Sequence, residues 1–214
     1  IIVYVGGRDI PETPNSDPLA ESGGGLSLSG SFAWADAVFE RGEGATSGPG
    51  AIDVAPWGGA ISFDDTKVWH NDHMSNPSGG ENDLFTVAMH EIAHLLGIGR
   101  LTGRENQPTR WANLISGSNF TGSSAVAAFG SPVPLDGDAH WEEGTQSTVY
   151  GTAQNQEAAM DPSLTIGKRK QFTVLDVAAL DDIGWDIASI DASDGDYNND
   201  GQVTAADYTV WRDS

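Results

Sequence analysis

Two histidines four residues apart with a glutamate between them, His90-Glu91-Ile92-Ala93-His94, form the stretch of this chain best suited to chemistry. On a helix, positions four apart lie one turn above each other on one face. His90 and His94 can then offer imidazole nitrogens to a single zinc ion at ~2.0–2.1 Å. Glu91 falls on the neighbouring flank, where it can take a proton from a metal-activated water without ligating the metal. This is the donor set of a metal hydrolase with Glu91 as general base. Histidines that merely pack or face solvent are the bland alternative. Two of only five histidines falling in this pattern speak against it.

A catalytic zinc normally takes three protein ligands and keeps one position open. The chain continues His94-Leu95-Leu96-Gly97-Ile98-Gly99-Arg100. Arg100 cannot serve, because a guanidinium is permanently charged and has no lone pair to donate. The chain has no cysteine. Thiolate metal sites, disulfides and a cysteine nucleophile are therefore excluded. The remaining candidates are His70, His73 and His140, and the residues alone leave the three open.

The run from His90 to Arg100 resembles the metzincin clan of zinc endopeptidases, whose pattern is H-E-x-x-H-x-x-G-x-x-H. Gly97 matches the glycine of that pattern, and Arg100 stands where the third histidine would be. His140, in Ala139-His140-Trp141-Glu142-Glu143, resembles the leishmanolysin branch of the clan. There an insertion follows the glycine and the third histidine arrives later in a His-Trp-Glu context. The stretch from Phe120-Thr121-Gly122 to Pro132-Val133-Pro134-Leu135 is similar to that branch as well. The resemblance implies a zinc endopeptidase with His90, His94 and His140 as ligands. Ala159-Met160-Asp161-Pro162 is similar to the clan's methionine turn. It implies that the Met160 thioether supports the histidine cluster without binding the metal.

Upstream, Gly58 to Asp65 is similar to the matrixin strand that precedes the zinc helix. This implies that Gly59, Ala60, Ile61 and Ser62 lie on an edge strand that pairs with an extended protein or peptide substrate through the backbone. Matrixins carry a histidine of a structural zinc site where this chain has Ser62, so that second zinc is not expected. His70-Asn71-Asp72-His73 offers a minor metal site at best, since it lacks an obvious third ligand. The resemblance covers about residues 50–186.

The C-terminal stretch reads separately. Asp196, Asn198, Asp200, Gln202 and Asp207 fall in a loop with Gly201 at its sixth position. Side-chain oxygens at positions 1, 3, 5 and 12 and a glycine at 6 are what a calcium loop needs. The loop resembles a single dockerin-type repeat, with Asp207 in place of the usual glutamate. True dockerins carry two repeats, which argues against a cohesin partner while leaving calcium binding as the expectation.

These residues need elements to hold them. Asp83 can cap a helix running from Leu84 to Leu96, and Gly97 and Gly99 end it. Thr173 can cap a last helix over Val174 to Ile183, stopped by Gly184. Ile1 to Gly6 reads as a buried strand and Ala60 to Phe63 as another. Ser31 to Glu40 reads as a strand, although its alanines also suit a helix. Residues 11–31 and 70–83 read as loops, rich in Pro, Gly, Ser, Asn and Asp. Residues 101–138 look irregular, with room for a short helix over Ser123 to Phe129. Composition shifts after Ile190, which divides the chain into a metzincin-like domain over 1–188 and a calcium-loop tail over 189–214. The expected fold is α+β: a twisted mixed sheet packed on the zinc helix, then a largely irregular C-terminal half ending in a helix.

The chain has 214 residues and a net charge of −21, from 31 acidic and 10 basic residues. Nucleic acid and anionic lipid both need Lys and Arg to displace counterions, so neither is an expected partner. No apolar run approaches the ~20 residues that span a bilayer. The chain starts at Ile1, and no signal peptide is visible. A secreted or cell-surface setting follows from the resemblance alone. Two functions fit: a secreted endopeptidase, or a non-catalytic surface module carrying an idle metal site on the same fold. Arg100, the acidic surface and the tail motivate the second.

Overall fold

The structure is a computed structural model and describes residues 2–13, 17–23, 31, 33, 58–100 and 108–187. The segment read as a strand over Ser31 to Glu40 falls almost entirely outside these residues, and the tail with its calcium loop falls wholly outside them.

The described N-terminal part is a three-stranded sheet in the order β1-β3-β2, formed by β1 (Ile2–Arg8), β2 (Ala20–Gly23) and β3 (Gly58–Asp64). β1 runs parallel to β3, from Ile2 opposite Gly58 to Arg8 opposite Asp64. β2 runs antiparallel to β3, with Ala20 opposite Phe63 and Gly23 opposite Ala60. Two readings change here. The stretch 11–31 contains a strand, β2, whose Ala-Glu-Ser-Gly composition carries no apolar alternation to announce it. β1 is a strand but is not buried: Ile2, Tyr4 and Val5 are all more than 60% exposed. Its β-branched residues set the extended backbone, and no described layer covers its faces.

Two short strands, β4 (Trp69–His70) and β5 (Asn82–Asp83), bracket the loop read over 70–83 and lead into helix α1 (Leu84–Leu95). Asp83 caps α1 through Oδ2, which accepts from Thr86 N at 3.1 Å and Thr86 Oγ1 at 2.6 Å. α1 lies against β2 and β3. Its approach is close: a methyl group at Gly59 would meet Leu95 Cδ2 at 2.5 Å.

The C-terminal half is less irregular than its composition suggests. Helix α2 (Arg110–Asn113) precedes a four-stranded antiparallel sheet of two- to four-residue strands: β6 (Ile115–Ser116), β7 (Asn119–Phe120), β8 (Val133–Asp136) and β9 (His140–Trp141). Helix α3 (Ser123–Phe129) interrupts it where the sequence left room for one. A hairpin of β10 (Gln146–Thr148) and β11 (Asn155–Glu157) follows, and helix α4 (Val174–Ile183) closes the described chain. The core sits in this half. Trp111, Phe120 and Trp141 stack at centroid distances of 4.3–5.7 Å, and Met160, Leu175 and Ile183 fill the space around them. Gly122 has no side chain with which to cap α3, so Asp182 of α4 caps it instead, accepting from Ser124 N and Ala125 N at 2.8 Å each. No described helix is long and apolar enough to cross a membrane.

Candidate metal centre

α1 places His90 and His94 one turn apart, and β9 brings His140 to them. The three Nε2 atoms lie 3.1–3.2 Å from one another. His90 Nδ1 donates to the Ala159 carbonyl at 2.8 Å, and His94 Nδ1 donates to the Ile98 carbonyl at 2.9 Å. A carbonyl can only accept, so both Nδ1 atoms carry the proton. In the neutral rings this leaves bare Nε2 lone pairs that face each other.

Burial pushes the His90 ring down to about 3, with the neighbouring His94 adding to the effect. Burial likewise pushes His140 down to about 4. Both rings are therefore neutral at neutral pH, the state that ligates metal. Lone pairs converging this closely repel unless a cation lies between them. Ligands at ~2.0–2.1 Å in a tetrahedron stand about 3.3–3.4 Å apart, close to the spacing found here. The donor set thus fits a zinc ion with one further position open.

His140 owes its place to long-range contacts. Backbone pairing sets Asp136 opposite His140 and Leu135 opposite Trp141. The Trp111 indole donates to the Asp138 carbonyl at 2.8 Å, which pins the turn before β9. Gly99, at φ +75°, lets the end of α1 pass so close to β9 that a Cβ there would stand 2.7 Å from the Ala139 carbonyl oxygen. The Trp141 indole then donates to Asp176 Oδ1 at 2.8 Å. The same carboxylate accepts from Ala159 N at 2.9 Å and Met160 N at 3.2 Å. Asp176 therefore joins the strand that carries His140 to the turn whose carbonyl orients His90. Met160 itself is fully buried, and its carbonyl accepts from Trp141 N at 3.0 Å.

Glu91 is 8% exposed and makes no side-chain hydrogen bond or ion pair among the described residues. Together with the three histidines it lines a cleft of about 1390 Å³. That exceeds the ~300–1,000 Å³ usual for a small-molecule pocket and leaves room for a length of peptide chain. Ile2 and Tyr4 of β1, the whole of β2, Gly58–Ala60 of β3 and Asp161 to Leu164 all line the cleft. Arg100 lines it too, beyond the α1 turn. His70 takes no part in the cluster, because its ring is engaged by the Ser75 carbonyl at 3.0 Å and by Glu81 at 3.5 Å. His73 is likewise outside it.

The expectation for Gly59, Ala60, Ile61 and Ser62 needs correction. These residues do form a strand beside the zinc-helix candidate, but β3 is central: β1 pairs along one side and β2 along the other. Ala60, Ile61 and Ser62 are paired on both sides, and Gly59 with β1 on one, so this stretch has no continuous free edge for a substrate strand. Of the sheet's two edge strands, β1 touches the cleft only through Ile2 and Tyr4, whereas β2 lines it along its whole length, Ala20 to Gly23, and pairs only with β3 among the described residues. The sequence reading missed it and missed Asp176 as a hub. The Thr173-x-x-Asp176 spacing marks a helix start, but nothing local announces the bonds to Trp141, Ala159 and Met160.

Residues 42–106 match the family model for matrixins. The matched stretch holds β3, α1 and both helix histidines with Glu91, and it ends before His140 and Met160. It covers under half of the chain and supports a metzincin-type zinc peptidase, whose fold the α+β architecture fits. No curated protein and no solved structure matches the chain.

Proposed function

We propose that this chain is a zinc-dependent endopeptidase that cleaves extended protein or peptide segments, with His90, His94 and His140 as metal ligands and Glu91 as general base. The mutual 3.1–3.2 Å approach of the three Nε2 atoms carries the reading. Zinc bound there supplies Lewis acidity toward a water and toward the scissile carbonyl. Glu91 accepts the attacking water's proton on a carboxylate oxygen and passes it to the leaving amine nitrogen, ending ionised as it began. The carbonyls of Ala159 and Ile98 hold the His90 and His94 rings in the tautomer that keeps Nε2 free. Met160 backs the cluster from the core without contributing a ligand. The edge of β2 left unpaired among the described residues takes the substrate as an added strand, so its recognition through backbone groups tolerates many sequences.

The reading extends to the tail and the setting. Asp196, Asn198, Asp200, Gln202 and Asp207 bind calcium as a unit separate from the cleft, and the protein works outside the cell, where calcium is plentiful and its −21 charge keeps it soluble.

Replacing Glu91 with glutamine tests the mechanism. The variant keeps its stoichiometric zinc and its fold but loses turnover by roughly 10²–10⁴-fold or more. Turnover at the parent's rate removes Glu91 from the chemistry. A parent protein that holds zinc yet cleaves no member of a peptide library is instead a non-catalytic surface module.

A further inference from the structure

At the far end of β3 from the glycines, Lys67 is only 14% exposed and its ammonium faces three carboxylates. Nζ lies 2.5 Å from Asp17, 3.2 Å from Glu12 and 3.7 Å from Asp64. Asp17 and Glu12 are largely exposed, whereas Asp64 is buried. Asp64 Oδ1 accepts from Thr66 N at 2.9 Å and Thr66 Oγ1 at 2.7 Å. Its Oδ2 has no hydrogen-bond partner, and the Lys67 ammonium is the charge set against it. Exposed ion pairs are ordinarily worth little. This one differs, because the lysine is mostly enclosed and a buried, half-satisfied carboxylate depends on it.

One exposed partner, Asp17, lies at the cleft. Asp17 is followed by Pro18, whose ring fixes its φ, and by Leu19, whose carbonyl accepts from Asp64 N at 2.9 Å. The next residue begins β2. Asp17, Pro18, Leu19 and Ala20 all line the cleft. Little slack therefore separates the ammonium from the strand that forms the cleft's lip.

We propose that Lys67 is a positioning residue for substrate: it clamps the segment entering β2 onto the end of β3 and so fixes the edge against which the substrate strand lies. The inference rests on β2 as the substrate edge, and amide exchange tests the clamp separately from cleavage.

Three variants suffice: Lys67→Met, Lys67→Arg, and Lys67→Met combined with Asp64→Asn, which relieves the buried charge. In Lys67→Met, amides of residues 20–23 exchange severalfold faster while those in the middle of α1 do not change. KM for a peptide substrate rises severalfold with kcat and zinc content held, and Lys67→Arg restores both readouts. The double variant behaves like Lys67→Met, because the clamp is still missing. Parental exchange and KM in both methionine variants overturn the proposal. So does parental behaviour in the double variant alone, since the effect then belongs to the stranded Asp64 charge. Should Lys67→Met fail to fold, the double variant decides. If no peptide is cleaved by the parent, exchange at 20–23 still decides on the clamp, and the failure is that of the peptidase reading.

Discussion

The carboxylate of Asp176 accepts from Trp141 Nε1, Ala159 N, Met160 N, Thr173 N and Thr173 Oγ1, all between 2.7 and 3.2 Å. An asparagine there keeps the shape but turns a donor toward donors and gives up the charge. Hydrogen bonds to a charged group are worth ~1.5–3 kcal/mol each, so Asp176→Asn should cost at least ~3 kcal/mol in urea unfolding. Its effect on the metal is the sharper test. Groups that orient ligands typically matter ~10–100-fold in affinity, and a fall of that size is expected in zinc competition titrations. An unchanged zinc affinity would make Asp176 a folding residue only. The proposed roles of His90, Glu91 and His94 are readable in sequence because all three sit on one helix, where spacing is geometry. Asp176 is not readable in this way, since its partners beyond its own helix cap come from two other segments.

Helix α1 and its flanks are the element on which the site depends. Gly97 and Gly99 follow it with φ of +113° and +75°, so alanine is strained at either position by ~1–2 kcal/mol. What lies beside them differs. A Cβ at Gly97 would meet the movable Ile183 Cδ1 at 3.2 Å, whereas at Gly99 it would press on the backbone of Ala139. Gly99→Ala should therefore weaken zinc binding by pushing His140 away, and Gly97→Ala should lower stability with the affinity nearly kept. Equal zinc affinities for the two would refute this account of how His140 is placed. At the other end of α1, burial raises the Asp83 pKa, but the Arg169 guanidinium and the Thr86 hydroxyl and amide outweigh it and hold it below the usual carboxylate value. Its stabilising effect is then present above the unfolded pKa of ~3.9 and lost as pH falls through the lower folded value. The stability gap between the parent and Asp83→Asn should accordingly be wide at pH 7 and shrink progressively once the pH falls below the unfolded pKa of ~3.9, in urea denaturation. A gap that stays constant with pH would show that the carboxylate charge plays no part.

Across the whole molecule, the histidines come from a helix and from a strand 46 positions later, and the lip of the cleft comes from the N-terminal sheet. Metal bound at their junction, as proposed, would tie these parts together. A ligand at 1,000 times its dissociation constant adds ~4.1 kcal/mol to the folded state. Stripping zinc with a strong chelator should therefore lower Tm by about 8–16 °C and abolish cleavage, both reversed by zinc. Removing calcium alone should leave cleavage intact if the tail is its own unit. Loss of cleavage on calcium removal would instead couple the tail to the cleft.

The helix that carries His90, Glu91 and His94, its Asp83 cap, and the last helix from Thr173 to Gly184 were all determined by local sequence, because capping and helical periodicity act over one or two turns. The family resemblance pointed to His140, but its distance from His94 was a matter for tertiary structure. So was the identity of the edge strand. β3 lies between β1 and the weakly patterned β2, and β1, with the more β-branched sequence, lies at an edge. Which strand ends a sheet depends on the neighbours each one finds, and no single segment of sequence encodes its neighbours.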